Sequence, residues 1–210
     1  TSGSNNIMMG NSTMRSGSGD HNIAMGKDAA FKMGSYSAAI VPTGNIIMGS
    51  GAFYSSQDNH SNNIVMGHGA AYYASQDDGD DQIRSNIIMG SAAAKGRDNT
   101  HRLEAGMNVI IGVDALKYVE SGTSEKRVII GAQAGGGSLA GSANCVVGTG
   151  CVIVGQDAFG SNGASADTSL SASTLVGNRA ARNLVTGTSH TIIGYGAAQG
   201  TGSFDRSIVI

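Results

Sequence analysis

One short pattern recurs along the whole chain: a polar residue, three apolar residues, glycine, and usually alanine three positions later. It reads NIMMG at 6–10, NIAMG at 22–26, NIIMG at 45–49, NIVMG at 63–67 and NIIMG at 86–90. It continues as NVIIG at 108–112, RVIIG at 127–131, CVIVG at 151–155, STLVG at 173–177 and HTIIG at 190–194. A final SIVI at 207–210 is an eleventh copy that stops before its glycine. The repeat glycines are therefore Gly10, Gly26, Gly49, Gly67, Gly90, Gly112, Gly131, Gly155, Gly177 and Gly194, spaced 16 to 24 residues apart. A constant three-residue strand inside an elastic period of about twenty residues predicts coils of one kind joined by connections of variable length.

Side chains alternate between faces along a strand, so the first and third apolar positions share one face and the second lies on the other. Both faces are apolar in nearly every copy, Thr174 and Thr191 being the exceptions at the first position. A sheet wetted on one side alternates apolar with polar, so these strands are expected to be covered on both sides. One face lines the interior of a coil. The other needs a second layer, and the simplest is another copy of the chain, because a long exposed apolar stripe is rare on a soluble monomer. The predicted class is all-β: a parallel β-solenoid (β-roll or β-helix) of about ten short coils in a homotrimeric fibre, one repetitive domain over residues 1–210.

The repeat glycine predicts positive φ at the coil corner. The alanine three residues later is found in nine of ten copies, with Thr13 the exception, and predicts a crowded inward position. The Asn that precedes six strands is read as satisfying turn backbone, in preference to a stacked amide ladder. A second, irregular strand is expected near Phe31–Met33, Cys145–Val147 or Leu139.

Composition narrows the functional classes. The 210 residues include 33 Gly, one Pro and no Trp, and only 13% are charged, with too little Glu, Lys and Leu for long amphipathic helices. A net charge of −2 with scattered Lys and Arg offers no basic stripe for nucleic acid. No apolar run approaches the roughly 18 residues that span a bilayer, so membrane insertion is not expected. Cys145 and Cys151 fall in strand-like runs without metal-ligand neighbours and are read as buried thiols. A start at Thr1 and an end at Ile210 in mid-repeat are read as a piece of a longer fibre protein.

The polar–apolar–apolar–apolar–Gly–x–x–Ala unit, clearest in HTIIGYGAA at 190–198 and NIIMGSGA at 45–52, resembles the head repeats of YadA-type trimeric autotransporter adhesins. It is equally similar to repeats of phage tail fibres that end in an intramolecular chaperone. The resemblance covers almost the whole chain and implies a parallel trimeric fibre segment exposed on a virion tail fibre or, alternatively, a bacterial cell surface. The implied partners are the chain itself as a homotrimer and a host-surface glycan or outer-membrane protein. The long, variable period favours the phage-fibre branch, with a bacterial adhesin head second and a polysaccharide-depolymerising tailspike third.

Contacts with a receptor are expected from the connections, because the strands hold the rod together. The candidate carbohydrate-binding residues are Tyr54, Gln57, Asp58, Tyr72, Tyr73, Gln76 and Asp77, where aromatic rings sit beside amides and carboxylates. The competing reading makes Phe53, Tyr54, Tyr72 and Tyr73 a structural aromatic ladder. The acidic run Asp77, Asp78, Asp80 and Asp81 lacks calcium-loop spacing and reads as a solvated turn, so no metal or cofactor is expected. Paired acids for glycoside hydrolysis would come from Glu104, Glu120, Glu125 or that run, and the five His are dispersed. Catalytic residues are not expected.

Overall fold

The computed structural model of the chain describes residues 3–15, 19–33, 41–56, 60–75, 83–96, 106–118, 126–136, 145–160, 168–200, 202–203 and 205–210. Among these residues there is no helix. Eleven strands, one from each copy of the repeat, stack into a single parallel sheet. They are β1 (Ile7–Met9), β2 (Ile23–Met25), β3 (Ile46–Met48), β5 (Ile64–Met66), β7 (Ile87–Met89) and β8 (Val109–Ile111). The stack continues through β9 (Val128–Ile130), β11 (Val152–Val154), β13 (Thr174–Val176), β15 (Thr191–Ile193) and β17 (Ile208–Val209). Equivalent residues pair throughout, as Ile23 with Ile46, Ile46 with Ile64 and Ile64 with Ile87. The chain is a parallel β-solenoid.

The return side of the solenoid is less regular. A four-stranded parallel sheet joins β10 (Cys145–Val147), β12 (Thr168–Ser171), β14 (Leu184–Thr188) and β16 (Gly202–Ser203). A two-stranded one joins β4 (Ser55–Ser56) to β6 (Tyr73–Ser75). Of the expected second strands, Cys145–Val147 forms. Phe31 and Lys32 lie in a turn, because each coil there is still closing its corner, and Leu139 is outside the described residues.

The second position of the strand faces inward. Ala24, Ile47, Val65, Ile88, Ile110, Ile129, Ile153, Leu175 and Ile192 are completely buried. They meet the post-glycine alanines, among them Ala29, Ala52, Ala70 and Ala93, and the return-side residues Met33, Ile83, Val147, Leu170 and Leu184. The small alanine side chain fits this buried position, where Thr13 stands in the first copy, and larger residues such as Phe53 and Phe159 fit one position later. Cys151 is a free, buried thiol, and burial pushes its pKa up. The first and third positions point outward. They are half-buried on most strands, more open at Ile87 and Met89 (37% exposed each), and most open towards the ends of the stack, as at Ile7 (53%), Met9 (57%) and Ile193 (41%).

Each repeat glycine has a φ between +128° and +143°, a region closed to residues with a Cβ. A Cβ on Gly26 would lie 2.7 Å from both the carbonyl carbon and oxygen of Gly49 in the next coil. The glycine thus answers two demands, conformation and the close approach of one coil to the next.

Three further positions per coil are left-handed, and most of them are not glycine. They are the residue before the pre-strand polar position (Asn5, His21, Asn62, Ser85) and those two and four residues after the glycine (Asp28 and Ala30, Ala92 and Ala94). Isolated left-handed residues cost about 1–2 kcal/mol each. Here the ladder of hydrogen bonds between coils offsets that cost: the Asp28 amide donates to the Asn11 carbonyl at 2.9 Å, and the Ala30 amide to the Ala52 carbonyl at 2.9 Å.

The pre-strand asparagines form the amide ladder that ranked second on sequence grounds. Asn22, Asn45, Asn63, Asn86 and Asn108 are fully buried. The Asn45 side-chain oxygen accepts from the Asn63 backbone N–H at 3.1 Å and from its side-chain NH2 at 3.0 Å, and Asn63 repeats this toward Asn86. The same NH2 of Asn63 also donates to the Ile83 carbonyl on the return side, at 2.8 Å. One amide therefore serves ladder and turn together, because a vertical column of amides has a return-side carbonyl within reach. Arg127 takes the place of the next Asn. Its Nε donates to the Asn108 Oδ1 (3.1 Å) and its Nη1 to the Val147 carbonyl (2.8 Å), copying the two amide donations. Burial lowers the Arg127 pKa to about 10. His190 occupies the same column, its N–H donating to Ser173 Oγ at 3.0 Å and its Nδ1 accepting from Ser207 N–H at 3.4 Å.

Candidate functional site

In the first five coils the residue five after the repeat glycine lies on the outside of the corner, and the stacking of coils turns these residues into a column. They are Arg15, Phe31, Tyr54, Tyr72 and Lys95. Phe31 and Tyr54 stack with ring centres 4.9 Å apart and 4° between planes; Tyr54 and Tyr72 stack at 4.7 Å and 6°. The Arg15 guanidinium lies 5.8 Å from the centre of the Phe31 ring, and the Lys95 ammonium 5.4 Å from that of Tyr72. Three aromatic rings are thus closed at both ends by cations.

The ladder expected from Phe53, Tyr54, Tyr72 and Tyr73 is corrected in membership. Phe53 is a core residue, edge-on to His60 at 5.0 Å, because its position one residue nearer the glycine points inward. Tyr73 meets Tyr72 edge-on at 4.7 Å and 80°, since it begins the return strand β6. Phe31, Arg15 and Lys95 were missed. A count of residues from each glycine would have found them.

The stack changes what the tyrosines can bind. Both faces of Tyr54 are occupied by neighbouring rings, and Tyr72 is covered by Tyr54 on one face and Lys95 on the other. A sugar ring laid flat on either would have to displace these partners. What the rings offer are their edges and hydroxyls. Beside them lies a notch of about 180 Å3 lined by Asp28, Ser50, Gly51, Tyr54, His68, Gly69, Tyr72, Ala92 and Lys95. Its floor exists because the position two after the glycine is itself glycine in two successive coils, Gly51 and Gly69. Gly69 is buried, yet a Cβ built on it meets no atom within 4 Å. Burial, the neighbouring hydroxyls of Tyr54 and Tyr73, and Asp28 raise the Tyr72 pKa, so its hydroxyl stays protonated at neutral pH.

Of the sequence candidates, the structure brings Tyr54 and Tyr72 to this notch and places Tyr73 next to Tyr72. Gln57, Asp58, Gln76 and Asp77 lie outside the described residues, as do Asp78, Asp80 and Asp81 and the candidate acids Glu104, Glu120 and Glu125. Among the described residues no group of three or more His, Cys, Asp or Glu is placed to hold a metal ion.

Fold and corner geometry define a parallel β-solenoid repeat protein with an outward aromatic–cation column. Comparison of the chain with protein-family models, with curated proteins and with solved structures finds no match.

Proposed function

We propose that the chain is a segment of a homotrimeric fibre, of the phage tail-fibre kind, that attaches to a glycan or protein on a host-cell surface. The observation that supports self-association is the outer face of the eleven-stranded sheet. Its first and third positions form two adjacent columns, with Ile23, Ile46, Ile64, Ile87, Val109 and Val128 in one. Met25, Met48, Met66, Met89, Ile111 and Ile130 stand in the other. At about 4.8 Å per rung the stripe runs roughly 50 Å. It carries no charged side chain on any strand. A patch of that length and composition has the character of an interface core, and a threefold arrangement covers it on every chain at once.

The attachment role draws on the repeat resemblance and on the hydroxyl-rich notch, which the rod repeats do not need for stability. Sedimentation equilibrium at micromolar concentration tests the first half of the proposal: a trimer is expected, and a stable monomer overturns it. A glycan array tests the second. Release of new reducing ends from a bound polysaccharide would replace attachment by depolymerisation.

A further inference from the structure

We propose that the notch between the third and fourth coils binds one carboxylated sugar ring, its carboxylate on Lys95 and its hydroxyls on Tyr54, Tyr72 and Ser50. The inference rests on the attachment reading and adds the chemical class of the ligand. The cavity of about 180 Å3 has room for a single sugar ring. Its walls carry hydroxyl, imidazole and carboxylate groups with no large aliphatic side chain, a lining suited to a small polyhydroxylated ligand.

Charge selects among such ligands. Two charged groups face the notch. Asp28, at one end, already has the Lys27 ammonium at 3.9 Å. Lys95, at the other end, is held by the face of Tyr72 at 5.4 Å, which positions its ammonium without neutralising it. A carboxylate approaching Lys95 gains a charge-assisted hydrogen bond that a neutral sugar lacks. Glycine at the floor position in two successive coils, Gly51 and Gly69, occurs at this place alone, the tenth copy having a single one in Gly196. Equivalent positions elsewhere carry Asp114, Gln133, Asp157 and Arg179, whose side chains would fill the space.

Those same coils supply variants with precedent in the fold. Gly69→Gln copies Gln133, which is left-handed at φ +58° against +60° for Gly69. Lys95→Gln copies Gln199, five residues after Gly194. Ligand-observed NMR titrations with methyl β-glucuronide and methyl β-glucoside are run on the intact protein and both variants. The wild type is expected to prefer the glucuronide by about tenfold, the scale of one charge-assisted bond. Lys95→Gln is expected to abolish that preference while weak binding of both sugars remains, and Gly69→Gln to abolish binding of both. Equal binding of the two sugars by the wild type, no binding of either, or full binding by Gly69→Gln overturns the proposal. A glycan array separates the two levels. Hits kept by Gly69→Gln leave attachment standing and refute the notch, whereas an array without hits for the wild type refutes glycan attachment as a whole.

Discussion

Two glycines of different coils meet opposite demands, and alanine substitution separates them. Gly26 has φ +128°, and a Cβ there would sit 2.7 Å from both the carbon and the oxygen of the Gly49 carbonyl. Backbone cannot swing away as a side chain does, so the coils must separate or the corner must unwind. Backbone strain of about 1–3 kcal/mol adds to an overpacking cost of about 1–3 kcal/mol. Gly26→Ala is therefore expected to destabilise by about 2–6 kcal/mol. Gly69 has φ +60°, with no atom within 4 Å of the added carbon, and Ala92 holds the equivalent place at φ +52°. A left-handed cost of about 1–2 kcal/mol is there partly offset by the lower entropy of the unfolded alanine chain. Gly69→Ala should lose about 1 kcal/mol or less. For a chain of this length each kcal/mol moves Tm by about 2–4 °C. Thermal unfolding followed by circular dichroism should thus place Gly26→Ala about 4–24 °C below the wild type and Gly69→Ala within about 4 °C of it. Equal shifts would refute the claim that coil-to-coil contact, more than left-handed conformation, fixes the repeat glycine.

Three further outcomes follow from the same geometry. Asn63→Leu removes the four hydrogen bonds made by that side chain and should lower the urea midpoint by the equivalent of about 3 kcal/mol or more, since the abandoned groups are buried; a neutral result would mean that the ladder is ornamental. His60 is buried against Phe53 with its pKa lowered from 6.5 to about 3. Between those values the unfolded chain holds the proton and the fold does not. Stability is then complete above about pH 6.5 and falls by up to about 1.4 kcal/mol per pH unit below it, a slope that His60→Leu should flatten in urea titrations at pH 7.5 and 5. Met66→Glu puts a charge on the outer stripe; if that stripe is the subunit interface, light scattering should show monomer while the far-ultraviolet spectrum keeps its β signature.

The strands were legible because two rules coincide in them: alternation of faces and a glycine after every third apolar residue. Alternation put Ile47 and Ile88 on one face and Met48 and Met89 on the other, while which of the two lines the interior came only with the structure. The left-handed positions were not legible, because Ala30, Leu116 and Lys126 carry no residue signal for positive φ. Their conformation is imposed by the hydrogen bonds of the stack. The amide ladder was ranked below the turn role for a related reason. Asn residues about twenty apart in sequence look independent until the pairing sets them on adjacent rungs. In the candidate site, Tyr54 and Tyr72 were found by local composition. Arg15, Phe31 and Lys95 required a common origin, the repeat glycine, from which to count.

The Arg127 substitution in the amide column has a consequence for how such a rod can grow. From Asn22 to Asn108 every amide both donates to the coil before it and accepts from the one after, so any coil in that stretch can follow any other. A whole repeat, duplicated or deleted as a block, would meet the same partners above and below and change the length by one rung of about 4.8 Å. A guanidinium donates but cannot accept. The coil that carries Arg127 can receive an asparagine coil on one side only, and Cys151 succeeds it on the other. The modular stretch therefore has a fixed end, and length variation by repeat duplication is expected before residue 127.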